Sequence, residues 1–107
     1  MLRGGVWDNR AVVPAEWIAR CTTPVVPIDD DIKYGYQWYD GAFAFGTAAI
    51  PKSTQRFWSA IGNGGQRLTV YPELNLVVAV TAGNYNARDQ QVPSRRVISE
   101  AVFPSLL

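Results

Sequence analysis

Residues 57–86, FWSAIGNGGQRLTVYPELNLVVAVTAGNYN, constrain the fold of this chain more than any other stretch. Thr69, Tyr71 and the run at residues 76–81 are β-branched, aromatic or apolar, as a buried sheet requires. Pro72-Glu73-Leu74-Asn75 between the last two runs is a turn, so they form a hairpin. A further strand leads into them from Phe57, through Gly62-Asn63-Gly64-Gly65. Clustered glycines in a strand interior cost about 0.5–1 kcal/mol each and mark a bulge or a close approach to the backbone. Something has to come close to that turn.

The other segments read more simply. Pro14 and Glu16 at the start and Arg20 at the end suit a short helix over residues 14–21, with Trp17 and Cys21 on one face. Thr22-Thr23-Pro24 through Pro27 stops it. Asp29-Asp30-Asp31 reads as a solvated turn, with a weak cation site as the alternative. Residues 33–39 form an aromatic-rich strand, and residues 42–45 return beside it across Asp40-Gly41. Residues 50–55 are a loop. Residues 92–103 form a second helix with Val97, Ile98, Ala101 and Val102 as its apolar stripe, an Arg96–Glu100 pair at i,i+4, and Pro104 as its end.

Composition excludes several function classes. The 107 residues allow one domain, and 48% hydrophobic residues allow it a core. A formal charge of +1 without a dense Lys/Arg stripe argues against a nucleic-acid partner. The apolar runs fall far short of the about 20 residues of a membrane span, and Met1-Leu2-Arg3 does not open a signal peptide. The expectation is a soluble, cytoplasmic chain with no membrane contact. The single cysteine, Cys21, excludes an internal disulfide and reads as a small buried apolar group. Histidine is absent, so neither Ser-His-Asp nor Cys-His catalysis can be assembled, and no metal or other cofactor is expected. Trp7, Trp17, Trp38 and Trp58 read as core aromatics, with ligand platforms as the alternative.

The order of several short words carries a family resemblance. Gly4-Gly5-Val6-Trp7-Asp8-Asn9-Arg10, Val13-Pro14-Ala15-Glu16-Trp17, Tyr34-Gly35-Tyr36-Gln37-Trp38, and then GNGGQ, a strand, Pro-Glu-Leu-Asn-Leu, a strand and TAGNYN run over nearly the whole chain. This resembles the carboxy-terminal part of the serine β-lactamase and penicillin-binding-protein superfamily. It is most similar to the branch holding carboxylesterases, D-aminopeptidases and 6-aminohexanoate-dimer hydrolase. The resemblance implies an α+β fold: an antiparallel sheet of three to five strands with a carboxy-terminal helix packed on one face. It also implies hydrolysis of an ester or amide through an acyl-enzyme, and a Met1 that enters near the end of a preceding helix.

The superfamily uses Ser-x-x-Lys, then Tyr-x-Asn or Ser-x-Asn, then Lys-Thr-Gly or His-x-Gly. The lysine must stand one helical turn from the serine to take its proton. Ser53, Ser59, Ser94 and Ser99 are followed at that spacing by Arg56, Gly62, Val97 and Val102, and Ser105 by no residue. No tyrosine is followed two residues on by Asn. The chain is thus expected to carry no catalytic residue and to be inactive alone. For the third element, Ala60-Ile61-Gly62 and Asn63-Gly64-Gly65 are both possible matches, without the usual Lys or His. The resemblance makes Ala60, Gly62, Asn63, Gly64 and Gly65 oxyanion-side or substrate-side candidates, with a backbone N–H at Asn63 as the donor. A bulged hairpin without a catalytic role is the alternative. It makes Asn84, Tyr85 and Asn86 a wall of the substrate cleft; an Asx turn is the alternative. Lys33-Tyr34-Gly35 imitates Lys-x-Gly but lies too early. A different class of reading is a non-catalytic binding or assembly module, or one half of a split enzyme. One helix covers only one sheet face, and roughly 500 Å² of bare apolar sheet would forfeit about 12 kcal/mol. The expected partner is therefore a second copy or a complementary amino-terminal chain.

Overall fold

The computed structural model describes residues 1–46, 48 and 51–106. Its largest element is a six-stranded antiparallel sheet in sequence order, β3 (Val26–Pro27), β4 (Lys33–Gly35), β5 (Trp38–Phe45), β6 (Ser53–Gly62), β7 (Gln66–Tyr71) and β8 (Leu76–Val80). The three strands expected from the sequence are β6, β7 and β8. The sheet exceeds the expected three to five strands because β3 adds a two-residue edge at Val26–Pro27 to the five foreseen. Ahead of it stand a small hairpin, β1 (Val6–Trp7) with β2 (Arg10–Ala11), and helix α1 (Ala15–Cys21). The architecture is α+β. Among the described residues no helix is long and apolar enough to cross a membrane.

The reversal between β4 and β5 lies at Tyr36 and Gln37, four residues before the Asp40-Gly41 expected from composition. Both residues are left-handed, with φ of 52° and 73°, as a two-residue hairpin turn matching strand twist requires. Neither is a favoured residue there, and α1 supplies the compensation. Trp17 meets Tyr36 edge-on at 5.5 Å between centroids, and Arg20 Nε donates to the Tyr36 hydroxyl at 2.9 Å. Asp40 and Gly41 lie inside β5. Asp40 takes a bidentate pair from Arg56 across the strand boundary, at 2.9 and 2.6 Å, while the guanidinium sits 4.9 Å from the Trp58 ring centre. The loop expected at residues 50–55 is also corrected in part: Ser53, Thr54 and Gln55 pair with Phe45, Ala44 and Phe43. Ile50 lies outside the described residues. The acidic run is a solvated turn, where Asp29 Oδ1 accepts from the N–H groups of Asp31 and Ile32 at 2.9 and 2.8 Å.

Strand register sorts the side chains. Phe43, Phe57, Tyr71, Leu76, Val78 and Val80 belong to one face and pack with Ile98, Val102 and Phe103 of the carboxy-terminal helical segment. Phe103 is the knot, stacked on Phe43 at 5.3 Å and edge-on to Tyr71 at 5.3 Å. Offset and edge-to-face arrangements at such separations add about 0.5–1.5 kcal/mol each beyond buried area. At the middle of the sheet Ser59 and Thr69, both fully buried, share a hydroxyl hydrogen bond of 2.7 Å. That pair settles two polar atoms where an unpaired one would cost about 1–3 kcal/mol. On the opposite face, β1, residues 12–13 and Ile18 of α1 share a shallow cleft with Val77.

The terminal helix differs from expectation in its stripe. It runs as α2 (Val92–Val97), then a wider π turn (Ile98–Val102), then a 3-10 turn (Phe103–Ser105) that carries Pro104 within it. The π turn rotates the face: Ser94 and Ile98 are buried and Val102 and Phe103 half-buried, whereas Val97 and Ala101 point to solvent. Arg96 and Glu100 do pair, at 2.9 and 3.0 Å. The tryptophans are also displaced from the core. Trp7 and Trp17 are exposed and Trp38 and Trp58 half-buried, because the packed face is built from phenylalanine and tyrosine. Cys21 is buried, its thiol directed at the Ile18 carbonyl.

Two outcomes follow from this packing. Phe103→Ala should cost about 2–4 kcal/mol, just under the range for fully buried phenylalanine, while Val97→Ala should cost under about 0.5 kcal/mol, as at other surface positions. Urea melts of the two variants check this, and equal losses would restore the stripe expected from the sequence. Burial raises the Tyr71 phenol above the ordinary tyrosine value. The neutral phenol is then favoured in the folded state, so its contribution is complete below the unfolded value of about 10. It is lost as pH rises from there through the folded value. Stability measured against pH should fall in that window, and less steeply in Tyr71→Phe.

Candidate functional site

The glycine-rich turn joins β6 to β7 at residues 63–65, between the paired ends Gly62 and Gln66. Gly64 and Gly65 have φ of 87° and 89°, a region that side chains with a Cβ reach only at cost. Space forbids a Cβ as well. One on Gly64 would meet the Tyr85 ring at 2.5 Å, and one on Gly65 would strike the Gln90 carbonyl oxygen. The close approach foreseen from the glycine cluster is therefore made by the chain itself. Residues 82–91, which follow β8, fold over the turn.

The closure is made of amides. Gln90 Oε1 accepts from the Gly64 N–H at 2.6 Å, and the Gly64 carbonyl accepts from the Asn84 N–H at 3.0 Å. Asn63 and Asn86 exchange two hydrogen bonds: Asn63 Nδ2 donates to Asn86 Oδ1 at 2.8 Å, and Asn63 Oδ1 accepts from the Asn86 N–H at 3.0 Å. Gln66 clamps both backbone polar groups of Ala82, donating to its carbonyl and accepting from its N–H at 3.3 Å. Gln91 Nε2 donates to the Gly62 carbonyl at 2.8 Å while its Oε1 accepts from Arg67 Nη2 at 3.3 Å. Asn84, Tyr85 and Asn86, read as a cleft wall, thus sit directly on the turn. Asn86 takes a left-handed φ of 59°, and Tyr85 is 63% exposed with its ring against Gly64.

The closure divides the candidate residues. Gly64 and Gly65 are buried, and the Gly64 N–H is engaged by Gln90. Asn63 is exposed at the tip, and Ala60 and Gly62 are half-buried on β6. The register of β5 on β6 begins at Tyr39 and Ser59, so residues 60–62 pair with β7 alone. Beside them a shallow open groove runs along Ala60, Gly62, Gln66, Leu68, Ala79 and Thr81. An unpaired stretch of strand edge presents backbone N–H and C=O groups to a ligand or to another strand.

Among the described residues each serine hydroxyl has a partner other than a lysine or carboxylate: Ser53 with Gln55 Nε2, Ser59 with Thr69, and Ser94, Ser99 and Ser105 with backbone carbonyls. Among the described residues no group of three or more His, Cys, Asp or Glu is placed to hold a metal ion. Backbone N–H groups along such an edge are of the kind that can bind and orient a group or polarise a carbonyl. Gln66, Gln90 and Gln91 escaped the sequence reading. Gln66 follows the glycine pair directly and had a positional signal, whereas Gln90 and Gln91 had none, since only the fold brings them over residues 62–64.

No family model, curated protein or solved structure matches this chain.

Gly64→Val should destabilise the fold by at least about 2 kcal/mol, through both the left-handed φ and the Tyr85 ring. Gly64→Ala combined with Tyr85→Ala should recover part of the loss, because the ring is removed and only the conformational cost remains. Thermal melts of the single and double variants test this, and an unchanged melting temperature in Gly64→Val would contradict the closed turn.

Proposed function

We propose that this chain is the carboxy-terminal part of a β-lactamase-related serine hydrolase, in which it supplies a wall of the substrate site and no catalytic side chain. The parent reaction in this reading is ester or amide hydrolysis through an acyl-enzyme. The carrying observation is the edge of β6, where residues 60–62 lack a β5 partner and end on a turn held rigidly by residues 82–91. An oxyanion donor must be fixed before the reaction, and a strand edge braced in this way meets that demand. Ala60-Ile61-Gly62 fits the third family element better than Asn63-Gly64-Gly65, because Gly64 and Gly65 are covered by Tyr85 and Gln90. Asn63, at the exposed tip, is the remaining turn residue that can face a substrate.

A second reading, a non-catalytic assembly module or one half of a split enzyme, is favoured by a specific observation. Val6, Trp7, Val12, Val25, Val26 and Ile28 all expose large apolar side chains in the first third of the chain. Large exposed apolar side chains gathered in one part of a chain are what an interface would cover, here toward a complementary amino-terminal chain or a second copy.

Labelling with a fluorescent penicillin or a fluorophosphonate tests the reading. The chain alone should remain unlabelled, since loss of nucleophile and base leaves at most about 10³–10⁴ of acceleration over water. The coding sequence upstream of Met1 should contain an in-frame Ser-x-x-Lys and Tyr-x-Asn, and the joined product should label at that serine. Labelling of any serine within residues 1–107 would overturn the reading, as would an upstream segment without those elements.

A further inference from the structure

Away from the strand edge, the face that packs the terminal helix holds a cleft of about 200 Å³ between Phe43, Phe57, Tyr71, Ile98 and Phe103. Its walls are apolar, yet Arg67, Arg95, Thr69 and Ser99 also line it. Arg67 is the unusual member. Its Nε is buried and has no hydrogen-bond partner, and its one side-chain bond, from Nη2 to Gln91, is long at 3.3 Å. Among the described residues neither arginine has a counter-ion, the salt bridges there being Arg56–Asp40 and Arg96–Glu100. Burial, together with the like charge of Arg95, pulls Arg67 below the ordinary arginine value, and the Tyr71 side chain only partly offsets this. Two like charges over an aromatic floor, one with an unsatisfied buried donor, are a costly arrangement for a chain to keep empty.

We propose that this cleft binds a small monocarboxylate with an apolar body, its carboxylate on Arg67 and Arg95 and its ring or alkyl chain against Phe43, Phe57 and Phe103. A guanidinium presents donors in a planar fork that matches a carboxylate. The volume exceeds the about 150 Å³ of an engineered apolar cavity known to hold benzene, so a single ring with a short acid arm fits. Inorganic phosphate would satisfy the arginines but leave the aromatic floor wet. A neutral aromatic would cover the floor but leave the two guanidinium charges without a counter-ion. Only the combined chemistry answers both features. The site is independent of the proposed hydrolase reading and lies on the helix-packed face of the sheet. Gln91 nevertheless links the two regions, because the amide that contacts Arg67 also holds the Gly62 carbonyl.

Titration of the ¹⁵N-labelled chain with phenylacetate, followed by amide and arginine side-chain shifts, tests the proposal. Saturable shifts are expected at Arg67 Nε, Arg95 Nε and the amides of Thr69, Ile98 and Ser99. Phenylacetamide, the neutral counterpart, should bind about tenfold more weakly or worse, and phosphate alone should produce no saturable shift at those signals. Arg95→Gln, an exposed position, should keep the melting temperature and weaken phenylacetate about fivefold or more; Arg67→Met should weaken it further if it folds. Equal affinity for phenylacetamide, saturation of the same signals by phosphate, an unaltered affinity in Arg95→Gln, or shifts confined to other residues would overturn the proposal.

Discussion

The closure of the β6–β7 turn by residues 82–91 is the constraint on which the rest of this structure depends. A turn with two consecutive left-handed glycines has little intrinsic preference for one conformation, since glycine loses more freedom on ordering than any other residue. Here Gln90 takes the Gly64 N–H, Asn63 and Asn86 lock side chain to side chain and backbone, and Gln66 grips Ala82. Each neutral hydrogen bond contributes on the order of 1 kcal/mol, and together they convert a flexible hairpin tip into a fixed point. The same residues lead directly into α2, so the turn also sets where the terminal helix begins.

From that fixed point the two sides of the sheet take different roles. On one face, Phe103 and Ile98 reach Tyr71, Phe43 and Val78, and the π turn at residues 98–102 supplies the rotation that brings Phe103 down. At the edge, β5 parts from β6 beyond Ser59, because the chain has already reversed at Tyr36 and Gln37. The short β4–β5 hairpin thus leaves residues 60–62 open, and α1, by packing Trp17 on Tyr36, holds the reversal in place. A local turn preference overridden by tertiary contact is what exposes the candidate binding edge.

Much of the sheet was legible in the sequence. Alternation and turn residues located β6, β7, β8 and the Pro72–Asn75 reversal, and clustered glycines marked the turn as a place of close approach. The approaching group was not legible, because Tyr85 and Gln90 lie some twenty residues away and reach Gly64 and Gly65 only through the fold. The Tyr36–Gln37 reversal was hidden by residue types that rarely adopt φ above zero, and Asp40-Gly41 offered a more familiar turn signal. Ile98 and Val102 of the expected stripe do face the sheet, but period-3.6 reasoning cannot anticipate the π turn at residues 98–102, after which Phe103 joins them while Val97 and Ala101 point to solvent. The tryptophans were assigned to the core on size, but register gave the packed face to phenylalanines.

Amide hydrogen exchange at Gly64 tests the closure most directly. The account requires this amide to exchange as slowly as the central amides of β7, although it lies in a loop, and to lose that protection in Gln90→Ala while the amides of Ser59 and Thr69 keep theirs. Exchange of Gly64 at the rate of an open glycine loop in the parent chain would contradict it, and with it the fixed strand edge on which the functional reading rests.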